Sequence, residues 1–130
     1  MDSYKTYLDH PAGDVLPVEE AMQIYNDIFE SVSKCKIDDK DEFVEDFLSK
    51  SCWYAYIRTQ WEFWSRVERI EKDSERTIQH NSVIDSINIL ARLLNSDGID
   101  TPWREQLGDQ RKRIGDFACF VAYMVGINNR

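Results

Sequence analysis

The residues best suited to chemistry lie near the middle of the chain, where Asp73, Arg76 and His80 are spaced three and four positions apart. On a helix these side chains, with Thr77, project from one face. Asp73 could orient Arg76, and His80 could donate or accept a proton near neutral pH. The same face continues into Val83 one turn later, so an ion pair and a histidine that close the end of a hydrophobic core fit the pattern equally. Both interpretations stay open.

Small helical ribonucleases of the HEPN type also place an arginine and a histidine in a helical bundle. Their pattern has a polar residue after the arginine and four to six residues before the histidine. Here only Thr77, Ile78 and Gln79 separate Arg76 from His80. Because the spacing departs from the pattern and the similarity covers five residues, the chain is not assigned to that family.

Other kinds of chemistry have no matching motif. A carboxylate-bridged di-metal bundle needs Glu-x-x-His on two helices, and the chain has neither copy. Two histidines and three widely spaced cysteines (Cys35, Cys52 and Cys119) form no recognisable zinc site, and no glycine-rich phosphate loop is present. The sequence therefore predicts no metal and no cofactor.

A cluster of aromatic residues interleaved with arginines follows Ser51. Its members cover more than one helical face, so they cannot all enter one core. Three of its tryptophans are candidates for contact with a partner: Trp53, Trp61 and Trp64. Ordinary bundle packing, a protein or dimer interface, and base stacking are the alternatives.

An acidic run precedes the aromatic cluster, and Lys40 is the only base within it. Its members are Asp38, Asp39, Asp41, Glu42, Glu45 and Asp46. Such a run could be a solvated helix start, or it could attract a basic partner.

Charge is distributed unevenly along the chain. Residues 1–65 hold 14 acids and 6 bases, whereas residues 66–130 hold 10 of each, so the whole net charge of −8 belongs to the first half. This balance argues against broad binding to a nucleic-acid backbone, which needs a basic face. No signal peptide or apolar stretch of about 20 residues is recognisable, and the scattered cysteines suit a reducing compartment, so the sequence predicts a cytoplasmic protein.

The apolar periodicity predicts helices that would position these groups. Glycine and proline are scarce, and apolar residues recur every three or four positions. We expect a helix from Pro17, a long helix over residues 40–72 with a break near residues 49–51, a third helix from Asp73 or Ser74, and a last helix from Pro102. Gly98 would end the third helix in the left-handed conformation. Gly108 and Gly115 would lie within the last helix, close to a neighbouring helix.

These elements predict an all-α protein, most economically an antiparallel bundle of about four main helices. Residues 1–16 would form an N-terminal arm, and residues 17–130 a single domain.

Size, charge and missing motifs favour a non-enzymatic protein that binds a basic surface on a larger partner. An acidic inhibitor, an immunity-type protein or a phage or mobile-element protein would fit this description. Two alternatives stay open: a small hydrolase or nuclease centred on Arg76 and His80, and a structural homo-oligomer that buries its surplus aromatic residues.

Overall fold

The structure is a computed structural model that describes residues 15–128. Within this range the regular elements are all helical, and four of the helices are long, which confirms the predicted all-α class. They are α1 (Val18–Lys34), α2 (Lys40–Gln60), a 3₁₀ turn (Trp61–Phe63), α3 (Arg66–Ser96), α4 (Pro102–Leu107) and α5 (Arg111–Asn128). Of the predicted N-terminal arm, residues 1–14 lie outside the described part of the chain.

Helix α1 forms where the sequence predicts an amphipathic helix. Ala21, Ile24 and Ile28 are spaced three and four apart and are buried. Pro17 has extended backbone angles (φ −59°, ψ 151°) and stands directly before the helix, so α1 starts one residue later than predicted. Beyond the other end, Lys40 Nζ donates hydrogen bonds to the carbonyl of Val32 (3.0 Å) within the last turn and to that of Cys35 just after it (2.8 Å).

The boundary between α2 and α3 differs from the prediction. Helix α2 runs unbroken through residues 49–51, and Ser51 is fully buried in it. The chain breaks at residues 61–65, and α3 begins at Arg66 rather than at Asp73 or Ser74. The reason is a capping box. Ser65 Oγ accepts the backbone N–H of Glu68 (3.2 Å), and the Glu68 carboxylate accepts that of Ser65 (3.1 Å), which satisfies two otherwise unpaired donors.

The predicted last helix is two helices. Gly108 has a φ of +73°, a conformation that L side chains rarely adopt, and α4 ends there. The prediction that Gly108 lies inside a helix is therefore wrong, whereas Gly115 does lie within α5. Gly98 follows α3 with a φ of +76°, in the left-handed region that the sequence predicts.

Helix α2 is the centre of the molecule and packs against α3 and α5, while α1 packs against α4 and α5. Helices α2 and α3 are antiparallel. Tyr54 contacts His80, and Trp61, seven residues after Tyr54, lies under Arg76, which is four residues before His80. Phe47 of α2 stacks on Phe117 of α5 at 6.2 Å between ring centroids. The buried apolar side chains, including Leu16 just before α1, form one cluster. No helix of the described range is long and apolar enough to cross a membrane.

Candidate functional site

A buried ion pair lies between α2 and α5. Arg58 Nη2 is 3.0 Å from Asp116 Oδ1, and the two side chains are 14% and 1% exposed. The other carboxylate oxygen of Asp116 accepts the backbone N–H of Leu16 at 3.2 Å. The pair therefore joins the segment before α1 to both central helices.

Burial dominates the electrostatics of this pair. It raises the pKa of Asp116 from 3.8 to about 6, although Arg58 and the Leu16 N–H both act to lower it. Burial also lowers the pKa of Arg58. Removing one partner would leave an uncompensated charge in the core, a loss that typically costs about 3–5 kcal/mol.

Gly115 provides the space that Arg58 occupies. A Cβ atom at this position would overlap the Nη1 atom of Arg58 and would lie 2.9 Å from the hydroxyl of Tyr54. The predicted close approach at Gly115 is thus to two long polar side chains of α2, which only a glycine at position 115 accommodates without rearrangement.

His80 lies in the core and is 2% exposed. Its ring packs edge-on against Tyr54 at 5.4 Å, and its Nε2 lies 2.9 Å from the carbonyl oxygen of Arg111. Nε2 must therefore carry the proton, and Nδ1 has no hydrogen-bond partner among the described residues. Burial, followed by smaller effects that include nearby arginines, lowers the pKa of His80 below its ordinary value. A neutral imidazole that joins α3 to the start of α5 is the result.

Asp73 and Arg76 lie on the same helix but in a different environment. Arg76 Nη2 is 3.3 Å from Asp73 Oδ1, and the side chains are 35% and 62% exposed. The guanidinium of Arg76 stacks over the ring of Trp61 at 4.2 Å from its centroid. Arg76 and Asp73 are thus surface groups while His80 is buried, so the three predicted residues do not converge on one accessible point.

Trp61 and Trp64 form a half-buried pair at the turn between α2 and α3. Their rings meet edge to face at 6.0 Å, and Lys72 lies over Trp64 at 5.9 Å. The carbonyl of Trp61 accepts a hydrogen bond from Arg69 Nε at 2.7 Å. These two tryptophans bind the first turns of α3 to the end of α2.

The acidic run lies on the surface. All six of its carboxylate residues, Asp38, Asp39, Asp41, Glu42, Glu45 and Asp46, are exposed. Asp46 pairs with Lys50 at 2.9 Å. Lys40, the only base within the run, is instead turned toward the carbonyls that end α1. Its ammonium is therefore drawn away from the exposed carboxylates.

Trp53 and Tyr56 extend this surface along α2. Their side chains are 57% and 55% exposed and meet edge to face at 6.3 Å. With Ser49 and Cys52 they line a shallow depression of about 430 Å³. Within α2, positions 41, 45, 49, 53 and 56 follow the helical period, and Glu42 and Asp46 lie beside them, so these carboxylates and the two aromatic rings share one solvent-facing side of the helix. Asp38 and Asp39 lie directly before its first residue. We call Asp38, Asp39, Asp41, Glu42, Glu45, Asp46, Trp53 and Tyr56 the acidic–aromatic face.

Two of the three cysteines, Cys52 and Cys119, lack the character of nucleophiles. Burial raises the pKa of Cys119 to about 12 and also raises that of Cys52. Both line a groove of about 320 Å³ between α2 and α5 whose walls are mainly apolar. Among residues 15–128 no group of three or more His, Cys, Asp or Glu side chains is arranged to hold a metal ion.

Sequence reasoning missed the contact between Arg58 and Asp116. Both residues lie on helical stretches with an apolar face, but nothing in their local spacing marks two residues 58 positions apart as a pair. Gly115 was the available signal, because a glycine inside a helix suggests close approach by another element.

The chain matches no protein-family model, no curated protein and no solved structure.

Proposed function

We propose that the protein is a non-enzymatic binding module that uses the acidic–aromatic face to occupy a basic surface on a larger protein. The observation that carries the proposal is the continuity of this face. Four exposed carboxylates share one side of α2 with the exposed rings of Trp53 and Tyr56, and the exposed carboxylates of Asp38 and Asp39 directly precede the helix.

The chemistry of the face suits protein recognition. Carboxylates steer a basic partner during association, while tryptophan and tyrosine are the side chains that most often contribute binding energy when an interface closes over them. Within α2, from Asp41 to Tyr56, the face extends roughly 23 Å, at 1.5 Å per residue. That length is comparable to one side of a standard protein interface.

The few lysines near the face also support a partner with a basic surface. Lys40 donates to two carbonyls at the end of α1, and Lys50 offsets only Asp46. The remaining carboxylates have no ion-pair partner among the described residues within 4.0 Å, so their charge is available to a cation from outside.

The hydrolase or nuclease alternative has less support. A general acid or base must come within hydrogen-bond distance of its substrate, and His80 is 2% exposed with its Nε2 bonded to a backbone carbonyl. The guanidinium of Arg76 is accessible, but it already contacts the ring of Trp61 and the carboxylate of Asp73, and it lies apart from the buried His80.

The test compares two baits with the same loss of charge. The first is Asp38→Asn/Asp41→Asn/Glu45→Gln on the acidic–aromatic face. The control is Asp85→Asn/Asp100→Asn/Glu105→Gln, three exposed acids elsewhere. Partners captured from source-cell lysate are identified by mass spectrometry, purified, and titrated against each bait by calorimetry after circular dichroism has confirmed the fold.

We expect a partner with a basic contact surface whose Kd rises at least about tenfold with the first bait and stays within about twofold with the control. Trp53→Ala should weaken binding as well. A partner that binds both baits equally, or the absence of any stoichiometric partner, would contradict the proposal.

A further inference from the structure

The first half of α3 presents apolar side chains to solvent. Three of them are more than half exposed: Val67 (65%), Ile70 (69%) and Ile78 (60%). With position 74 they follow the helical period and share one face. Phe63, in the 3₁₀ turn that precedes α3, is 76% exposed. We call Phe63, Val67, Ile70 and Ile78 the apolar stripe.

The stripe lies on the side of α3 that faces away from the core. His80 and Val83 are buried, and Ile78 precedes His80 by two positions, which is roughly 200° around the helix. Between Arg66 and Gln79 no side chain is fully buried. This stretch is supported by the Ser65 capping box and by Arg76 and Lys72 over the two tryptophans, rather than by a core of its own.

An isolated helical stretch of this length is marginally stable in water, and a soluble monomer seldom exposes so many large apolar groups together. We infer that the apolar stripe is a self-association surface, and that two copies of the chain pair through it with their α3 helices antiparallel.

Charge favours α3 over α2 as the surface through which two copies meet. Residues 66–79 carry four bases (Arg66, Arg69, Lys72, Arg76) and four acids (Glu68, Glu71, Asp73, Glu75), so their net charge is zero. Two copies that meet through α3 therefore bring together neutral surfaces. A meeting through α2 would set carboxylates against carboxylates, which is unfavourable.

The order of charges is complementary between two antiparallel copies. Arg66 and Asp73 are seven positions apart and flank the same edge of the stripe. With a two-fold axis near Ile70, Arg66 of each copy lies opposite Asp73 of the other, so the contact occurs twice. The same register places Val67 beside the small side chain of Ser74 of the second copy.

The experiment is sedimentation equilibrium on the full chain, at concentrations from about 1 μM to about 1 mM, the range that resolves weak dimers. We expect the average mass to approach twice the 15.4 kDa of one chain. Ile70→Asp should shift the protein to monomer with unchanged circular dichroism, because the side chain is 69% exposed. The control Trp53→Asp introduces the same charge on the acidic–aromatic face and should leave the dimer intact.

Charge reversal tests the arrangement. Arg66→Glu and Asp73→Lys should each raise the dimer Kd about tenfold, because each places like charges opposite one another twice per dimer. The double variant restores both contacts and should return the Kd to within about twofold of the wild-type value.

Three outcomes would overturn the inference: a wild-type protein that stays monomeric at every concentration, dimerisation abolished by Trp53→Asp and not by Ile70→Asp, or a double variant that binds no more tightly than Arg66→Glu alone. The last is expected of a parallel pair, in which Arg66 would face Glu71 and Asp73 would face Ile78. The inference is independent of the proposed function, since the two surfaces share no residue, and Ile70→Asp leaves the acidic–aromatic face untouched.

Discussion

At the scale of single residues, the carboxyl group of Asp116 shows how burial and ion pairing compete. A carboxylate 3.0 Å from a guanidinium ordinarily has a lowered pKa. Here loss of hydration outweighs that attraction, because the side chain is 1% exposed. The fold therefore favours the protonated form of Asp116 relative to the unfolded chain.

This balance predicts a measurable pH dependence. With a pKa near 6 in the folded state and 3.8 as its ordinary value, Asp116 binds more protons folded than unfolded between those pH values. Its contribution to the free energy of unfolding should therefore fall by about 3 kcal/mol as the pH rises from about 4 to about 6, and stay constant outside that window.

The measurement is denaturant unfolding of the wild type and Asp116→Asn at several pH values, with the carboxyl carbon of Asp116 followed by NMR. His80 has the opposite sign: because burial lowers its pKa from the ordinary 6.5, the fold loses stability as the pH falls below that value. Both proteins retain His80, so its effect cancels in their difference. An Asp116 midpoint below pH 4 would show that Arg58 dominates instead.

At the scale of elements, the start of α3 depends on a local contact that can be removed cleanly. Ser65→Ala deletes the side-chain acceptor for the Glu68 N–H and should lower the free energy of unfolding by about 1 kcal/mol. Faster amide exchange should be confined to the first turns of α3. The matched control is Ser74→Ala in the same helix, an exposed serine that is not a cap, which should leave stability equal or slightly higher. Equal losses in both variants would contradict a capping role for Ser65.

The same boundary shows where sequence reasoning succeeds and where it stops. Apolar periodicity predicts that helices occupy these stretches, and Gly98 is correctly placed after α3. The periodicity misplaces the break between α2 and α3, because Val67 and Ile70 continue the apolar periodicity of α2 although their side chains face solvent. The Ser65-x-x-Glu68 spacing was the signal for the true start, since it is the sequence signature of a capping box.

Candidate sites are harder to predict than elements, because they depend on contacts between distant residues. The spacing of Asp73, Arg76 and His80 places them on one helix, but only the position of α5 shows that His80 bonds to the carbonyl of Arg111. The acidic run does not depend on a contact with a distant residue, and all six of its carboxylate residues are exposed. The surplus of aromatic residues divides in a way that no local pattern reveals: Trp53 is exposed, whereas Trp61 and Trp64 pack against each other.

At the scale of the whole molecule, the separation of charge makes stability depend on salt. Residues 1–65 carry a net charge of −8, and the exposed carboxylates of the acidic–aromatic face lie close together along one helix. Their mutual repulsion extends about 30 Å at 10 mM salt and about 8 Å at 150 mM. Raising the salt concentration between these values should therefore stabilise the fold by about 1 kcal/mol, a rise in Tm of about 3–5 °C.

Two variants in which carboxylates are neutralised, compared at one protein concentration, show which carboxylates cause the rise in Tm with salt. Asp38→Asn/Glu45→Gln removes two carboxylates from the acidic–aromatic face and should show a higher Tm at low salt and a smaller rise with salt. Asp85→Asn/Glu105→Gln removes the same charge from the neutral half and should keep most of the wild-type rise, since these acids lie outside the acidic–aromatic face in the half of the chain whose net charge is zero. If both variants lost the salt dependence equally, the relevant quantity would be net charge alone. A dependence lost only with the first pair would locate the repulsion on α2, where a basic partner would relieve it on binding.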